Sequence, residues 1–287
     1  MSAIFEMKTV VEDLRMQMIG GIECGLDIWE LALIPQLLHN DGTWTQISKQ
    51  AMDSLNELQY IFMQNLFGVS RSCPKPALCW DTATTMMQVR VEKAKLSLIH
   101  HIQSLDESSL AKQIYIEQLR HGWPGLVTEC RDLIEQWKLP NILIAKSDLS
   151  KNEWKQIVKK EAKVQNEMLL RKMMGKLSKL EIMKNKDLRE PQDYMKMISL
   201  EDSRLEFRWR TNMLDNRGSM SKKYNSKACP HCEEGRQEGV EETSLHWLSC
   251  LAYKELRHGL DPELVIKDRL IYLRRVQELR KELERTL

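Results

Sequence analysis

The stretch ISKQAMDSLNELQYIFMQNLFG, residues 47–68, decides the fold class of this chain. Its apolar side chains recur at steps of four, four, three, four and four residues: Ile47, Ala51, Leu55, Leu58, Phe62 and Leu66. Such steps place side chains on one face of an α-helix, which has about 3.6 residues per turn. We therefore predict an amphipathic helix that ends at Gly68 and that Pro74 and Pro76 keep from resuming.

Further helical patterns follow this stretch. They cover residues 88–102, residues 110–120 and the segment from Val127 to Trp137. The 287-residue chain is rich in helix-forming residues and contains only 12 Gly and 8 Pro. Local pattern and composition together predict a mainly α protein whose first region, residues 1–145, is a bundle of helices.

A basic segment begins near residue 146. Residues 146–190 carry 13 basic and 7 acidic side chains, counted along the sequence. Ser150 and Glu153 match the capping box that starts a helix, and Trp154 opens an apolar stripe at helical spacing. We predict one long basic helix, or two, that connects the flanking regions over residues 146–198.

Charge is unevenly distributed along the chain. Residues 1–145 contain 12 Lys and Arg against 17 Asp and Glu, a balance of −5, whereas residues 146–287 contain 31 against 24, a balance of +7. The C-terminal half is therefore the favoured partner for a polyanion such as RNA or DNA.

Four side chains that bind metals stand in the spacing C-x2-C-x13-H-x3-C: Cys229, Cys232, His246 and Cys250. Zinc prefers four cysteine or histidine ligands at tetrahedral angles. The intervening segment is a polar, acidic loop without a core of its own, so we expect bound Zn²⁺ to supply its folding energy. Four protein ligands leave no position for a reacting water, which predicts a structural metal and not a catalytic one.

Other roles for cysteine and histidine remain open. The four residues could instead be ordinary buried thiols beside a surface histidine, and His231 is a rival ligand within the knuckle. Cys24 and Cys130 lie on apolar helix faces and are expected in the core. Cys73 and Cys79 have no nearby His or second Cys pair, so a second metal site is not expected.

An arginine-rich helix leads into the zinc knuckle, and the two together make up residues 199–258. Seven basic residues here are candidate nucleic-acid contacts: Arg204, Arg208, Arg210, Arg217, Lys222, Lys223 and Lys227. Trp209, Tyr224 and Trp247 are expected to stack on unpaired bases. The alternative is that these charges form an ordinary solvated helix face.

The last region, residues 259–287, is typical of one amphipathic helix. Asp261 and Pro262 are predicted to start it, as the capping residue and the first-turn proline. Its apolar seam comprises Tyr272, Val276, Leu279, Leu283 and Leu287. A seam of this kind can pair with another helix, so self-association or a partner chain stays open.

Several classes of protein are not favoured. Charged residues interrupt both the first 20 residues and the apolar run at 25–38, so neither an export signal nor a membrane span is expected. This predicts an intracellular protein, in the nucleus or the cytoplasm. No P-loop, GxSxG, HExxH or adjacent Asp-Asp pair occurs, so no catalytic centre is expected.

The order of motifs resembles a known region. The matching segments are residues 24–29 (CGLDIW), 66–69 (LFGV), 208–215 (RWRTNMLD), 229–232 (CPHC) and 242–246 (ETSLH), followed by Cys250. This order is similar to the region that follows the polymerase domain in proteins of non-LTR, LINE-like retrotransposons. The likeness runs from about residue 20 to 258. That family often has four residues between its histidine and last cysteine ligand, where this chain has three.

The resemblance implies a thumb-like helical bundle that leads into a C-terminal zinc knuckle. It further implies binding of element RNA or target DNA during reverse transcription, by a segment that lacks the polymerase palm and its paired aspartates. Only the four zinc ligands carry over residue by residue. Two other classes stay open: a zinc-stabilised structural or protein-interaction module, and an inert relic of a retroelement.

Overall fold

A computed structural model describes residues 21–143, 149–177, 180, 183, 192–197, 199–216, 218, 226–263 and 265–286. Within these residues the chain is mainly α-helical, as predicted, and forms no strand. A single antiparallel bridge joins Ala228 and Glu241. No helix in this part of the chain combines the length and apolar character that a bilayer crossing requires.

Within the described residues, seven helices belong to the N-terminal region: α1 (Gly21–Ile28), α2 (Ile34–Leu37), α3 (Lys49–Phe67), α4 (Lys75–Thr82), α5 (Met87–Ser104), α6 (Leu110–His121) and α7 (Leu126–Gln136). Six more lie in the described part of the chain that follows: α8 (Lys151–Met174), α9 (Tyr194–Met197), α10 (Leu200–Arg210), α11 (Glu233–Glu238), α12 (Ser244–Ser249) and α13 (Ile266–Thr286). A π-helical turn (Trp29–Leu33) joins α1 to α2, and 3-10 turns lie at Asp41–Thr43 and Leu251–Arg257.

The amphipathic helix predicted from residues 47–68 is confirmed as α3. The Ser48 hydroxyl caps it by accepting a hydrogen bond from the Ala51 N–H at 3.2 Å. Gly68 ends it in the left-handed conformation, with φ of 60°. This helix does not resume after Gly68, as expected, but Pro74 and Pro76 do not keep the next residues out of a helix. They start α4 instead, because a helix has no internal partner for the N–H groups of its first turn.

The predicted capping box also forms, at the start of α8. The Ser150 hydroxyl accepts from the Glu153 N–H, and the Glu153 carboxylate accepts from the Ser150 N–H at 2.8 Å. One stripe of α8 is buried at steps of four residues: Trp154, Val158, Ala162, Asn166, Leu170 and Met174. This stripe packs mainly on α5 and α4, so the opposite side of α8 faces solvent.

Two hydrophobic clusters share helix α10. The first cluster extends from Ile22 to Phe207 and includes the stacked pair Phe67 and Phe207, whose ring centroids are 4.1 Å apart. The second begins with Leu205 and Trp209, on the other side of α10, and reaches Val276. Helix α10 therefore packs against both clusters, with a different side toward each. The four-region division at residues 145, 198 and 258 stays a prediction.

Helix α13 starts later than predicted. Asp261 and Pro262 form a turn before the helix, in which the Asp261 N–H donates to the Asp268 carboxylate at 2.9 Å. The first residues of the apolar seam, Tyr272 and Val276, are fully buried in the second cluster. The seam is thus used within the chain over this part, whereas Leu287 lies outside the described residues.

Two further sequence expectations concern single cysteines. Cys130 is buried, as predicted, but Cys24 is exposed, so its assignment to the core is wrong. The neighbouring Ile22 and Gly25 are buried on α1, which shows that the buried face of this helix lies beside Cys24.

We expect two substitutions at helix ends to change stability in opposite directions. Gly68→Ala places a Cβ in a left-handed residue and 3.2 Å from the Arg204 Nε, so it should destabilise the fold by about 1–2 kcal/mol. Ala83 already occupies this conformation, with φ of 51°, at the end of α4. Ala83→Gly should therefore stabilise by up to about 1 kcal/mol. Urea unfolding of both variants measures the difference, and a shift of the same sign in both would contradict it.

Candidate metal centre and basic surfaces

The peptide backbone fixes the two ligand pairs. The Cys229 N–H donates to the Val240 carbonyl at 2.8 Å, and the Glu242 N–H donates to the Lys227 carbonyl at 2.8 Å. These bonds clamp the Cys229 end of the knuckle against the segment that leads to α12. The other pair comes from α12, where the Cys250 N–H donates to the His246 carbonyl and closes one helical turn.

The four ligand atoms converge on one point. The three Sγ atoms and the His246 ring nitrogen all lie within 4.8 Å of one another. The Cys229 and Cys250 sulfurs are 3.9 Å apart, and the Cys232 sulfur is 3.5 Å from the His246 Nε2. A tetrahedral zinc site has S–S edges of about 3.8 Å and S–N edges of about 3.5 Å, given its usual bond lengths. The Cys3His cluster (Cys229, Cys232, His246 and Cys250) therefore has the dimensions of a zinc site.

The thiols of Cys229 and Cys250 lie within hydrogen-bonding distance of each other. A hydrogen bond from the Cys250 thiol lowers the pKa of Cys229, and the adjacent Cys229 sulfur raises the pKa of Cys250. One negative charge is thus favoured between them and a second is not. A divalent cation removes this conflict, because it neutralises both thiolates in place of a proton.

The cluster is supported by an apolar core, which the sequence analysis did not anticipate. Trp247 and Tyr253, which flank the ligands His246 and Cys250, are fully buried in the second hydrophobic cluster. The Trp209 indole donates to the Ser244 carbonyl at 3.1 Å and ties α10 to α12. The expectation of a loop without a core therefore holds only for the exposed acidic residues around α11. His231 lies outside the ligand set and packs on Tyr253 at 5.7 Å.

A buried ion pair joins α10 to the first hydrophobic cluster. The Arg210 guanidinium donates two hydrogen bonds of 2.7 Å to the two carboxylate oxygens of Asp81. The Tyr194 hydroxyl donates to the same carboxylate at 2.9 Å, and the Tyr194 ring packs against the guanidinium. Burial lowers the pKa of Arg210, but the Asp81 carboxylate outweighs it, so the net shift is upward.

Among the described residues, two further ion pairs are buried and have the same three parts. Arg269 of α13 donates to the Glu206 carboxylate at 2.7 Å and packs over the Trp209 ring. Arg280 of α13 donates to the Glu242 carboxylate at 3.4 Å and packs over the Trp247 ring. Each consists of a carboxylate, a guanidinium and an aromatic ring. Together they connect the first cluster, α10, α13 and the metal knuckle in sequence.

These contacts correct the predicted nucleic-acid surface. Arg210 is enclosed, with 2% of its side chain exposed, so it cannot reach a polyanion. Arg204 is partly buried and donates to the Leu66 carbonyl at 3.0 Å, where it satisfies the end of α3. Trp209 and Trp247 are buried and cannot stack on bases.

Of the other predicted contacts, two lie among the described residues. Arg208 is partly buried, and this burial lowers its pKa. Lys227 is exposed beside the knuckle. The other predicted residues lie outside the described part of the chain: Arg217, Lys222, Lys223 and Tyr224.

Helix α8 carries the most prominent basic surface. Six of its lysines are exposed, and none of the six forms an ion pair within the described residues: Lys151, Lys155, Lys159, Lys160, Lys163 and Lys172. The basic balance of residues 146–190 signalled this surface in the sequence, but no individual lysine was singled out. Comparisons with known proteins add no identity, since no protein-family model, curated protein or solved structure matches the chain. The likeness to retrotransposon proteins therefore stays a prediction.

Zinc should bind at one atom per chain and depend on the Cys3His cluster. Cys232→Ser removes one thiolate and should abolish stoichiometric zinc and lower the melting temperature. Cys24→Ser is the matched control, because Cys24 is exposed on α1 and outside the cluster. Elemental analysis of both purified variants decides the matter. Equal loss of zinc from both, or a zinc-free wild-type chain that melts at the same temperature, would refute the assignment.

The Asp81–Arg210 pair should contribute to folding and not to ligand binding. Arg210→Met leaves a buried carboxylate unpaired and should cost about 3–5 kcal/mol. Lys227→Met, at an exposed position, should change stability by no more than about 0.5 kcal/mol. Asp81→Asn with Arg210→Met should cost less than the two single changes summed, because neither charge is then stranded. Equal stability of the Arg210→Met and Lys227→Met variants would show that Arg210 is not held in this pair.

Proposed function

We propose that this chain is a non-catalytic nucleic-acid-binding protein that is stabilised by zinc and binds phosphates with the exposed face of α8. The observation that carries the proposal is the set of six exposed lysines on this helix, none of which has an ion-pair partner among the described residues. Solvated charge alone is common on helices, but such faces usually alternate signs and form pairs along the helix. Among the described residues, Arg171 is the one basic residue of α8 with an ion-pair partner, which is Glu167.

Three of these lysines form a row parallel to the axis of α8. Lys155, Lys159 and Lys163, named the basic row, each follow a residue of the buried stripe directly. They therefore lie on one flank of α8, with a rise of about 6 Å between neighbours. A row of cations along a helix suits a chain of phosphates better than it suits a single small anion.

Neighbouring helix α5 adds to the positive charge. Burial lowers the pKa of Lys93, and the nearby charges of Arg90, Lys159 and Lys155 lower it further. Lys93 therefore lies close to the basic row, across the α5–α8 contact. Crowded like charges are unfavourable by themselves, so the surface gains stability when an anion binds.

The zinc module has a supporting role in this proposal. Its four candidate ligands would complete a tetrahedral site, so bound Zn²⁺ would hold the knuckle and position α13 without taking part in a reaction. The nucleic acid itself would bind to α8, whose buried stripe belongs to the first hydrophobic cluster. By the resemblance to retrotransposon proteins, the bound polymer would be element RNA or target DNA.

Salt dependence tests the proposal. Labelled single-stranded RNA and DNA should bind the zinc-loaded chain with an affinity that falls steeply as salt rises. Replacing Lys155, Lys159 and Lys163 with Ala should reduce the slope of log K against log salt by about 2, at about 0.7 per lost phosphate contact. Fluorescence anisotropy across a salt series measures both quantities.

A matched control removes three lysines elsewhere. Lys49, Lys254 and Lys267 are exposed and lie on α3, the second 3-10 turn and α13, so their joint replacement with Ala should leave the slope nearly unchanged. Equal losses in the two triple variants would reject α8 as the binding surface. Binding that survives the α8 changes but collapses on zinc chelation would assign it to the knuckle. Absent binding would favour an interaction module or an inert relic.

A further inference from the structure

A cavity of about 440 Å³ opens at the end of the basic row. Its walls come from α1, the α4–α5 turn, α8 and α9, and Lys163 of the basic row lines it. The floor consists of the turn residues 82–85, which include three threonines. A pocket of this volume accommodates a ligand of roughly nucleotide size.

Hydrogen bonds and ion pairs hold the walls in place. Arg90 binds both carboxylate oxygens of Glu30 and donates to the Thr85 carbonyl at 3.0 Å, which joins α5, the turn after α1 and the floor. The wall at α9 is held by Tyr194, through its hydrogen bond to the buried Asp81. The cavity is therefore fixed before any ligand enters.

Four charged side chains around the cavity have no partner among the described residues. Glu23 and Asp27 of α1 line one side, and Lys163 and Lys196 line the side formed by α8 and α9. Opposite charges in one pocket normally close into ion pairs, but none of these four does so. The cavity therefore presents separated negative and positive ends.

This separation matches one class of ligand. The lysine end suits a phosphate, and a carboxylate accepts hydrogen bonds from the amino group of a nucleobase. An amino acid also carries both charges, but a cavity of about 440 Å³ has room for a larger ligand. A nucleotide unit offers a phosphate to the lysines and a base to the carboxylates. Of the three threonines, Thr85 is the one that is partly exposed, so its hydroxyl can donate to or accept from a base edge.

We propose that the cavity binds one unstacked nucleotide of the bound strand, with its phosphate at Lys163 and Lys196 and its base amino group at Glu23 and Asp27. The inference rests on the proposed function, because the basic row leads the phosphate chain to the cavity through Lys163. Proteins commonly read single strands by taking individual bases out of the stack.

The carboxylates give the site a base preference. The cytosine amino group offers two N–H donors, so it satisfies a carboxylate well. Uracil has an oxygen in place of this amino group, and its remaining N–H donor lies between two carbonyl oxygens that a carboxylate repels. The site therefore favours cytosine over uracil, although both bases have the same ring size.

Binding of two eight-nucleotide RNAs, oligo-C and oligo-U, tests the preference. The zinc-loaded wild-type chain should bind oligo-C about tenfold more tightly. Glu23→Ala with Asp27→Ala should abolish this ratio by strengthening oligo-U and weakening oligo-C relative to the control. The control is Asp132→Ala with Glu135→Ala, which removes two exposed carboxylates from α7 and keeps the ratio.

Free CMP and UMP, followed by ligand-observed NMR, separate the possible failures. Preferential CMP binding that Lys163→Ala weakens and Lys254→Ala does not would support the cavity even if neither RNA bound. Equal binding of the two RNAs would overturn the cavity inference and leave the proposed function intact. No binding of either RNA or of CMP would overturn both.

Discussion

The second half of the structure depends on the ion pair between Asp81 and Arg210. Asp81 lies in α4 and is fully buried, so its charge requires a partner inside the protein. Arg210 supplies two hydrogen bonds and Tyr194 a third. This arrangement fixes the end of α10 against the first hydrophobic cluster, and α10 then offers Leu205 and Trp209 to the second. The position of the metal knuckle follows from that of α10.

Two further ion pairs of the same kind connect α10 to α13, and α13 to the knuckle. Glu206 holds Arg269 of α13, and Arg280 of the same helix reaches Glu242 beside the metal ligands. In each pair an aromatic ring covers the guanidinium and excludes water from one face. The polar knuckle that carries the Cys3His cluster is thereby joined to the helical core, although the knuckle itself has few apolar residues.

The sequence predicted the parts of this structure that depend on local pattern. Apolar spacing identified α3 and α5–α7, a capping box identified the start of α8, and the cysteine spacing identified four residues whose candidate ligand atoms lie within 4.8 Å of one another. What it could not supply were pairings between distant residues. Asp81 and Arg210 are 129 residues apart, and nothing local marks one as the partner of the other. The sequence pattern therefore places Arg210 among the exposed cations, and it indicates the lysines of α8 only as an excess of positive charge.

The distance between Asp81 and Arg210 along the chain also bears on the order of events during synthesis. Helices α3 to α5, which surround Asp81, leave the ribosome well before Arg210 has been made. At usual rates of synthesis, 129 residues correspond to about 6 to 26 s. Throughout that interval the carboxylate lacks its guanidinium, and closing the core around it is unfavourable. The early helices therefore stay open to water around Asp81, and the first cluster closes only when α10 arrives.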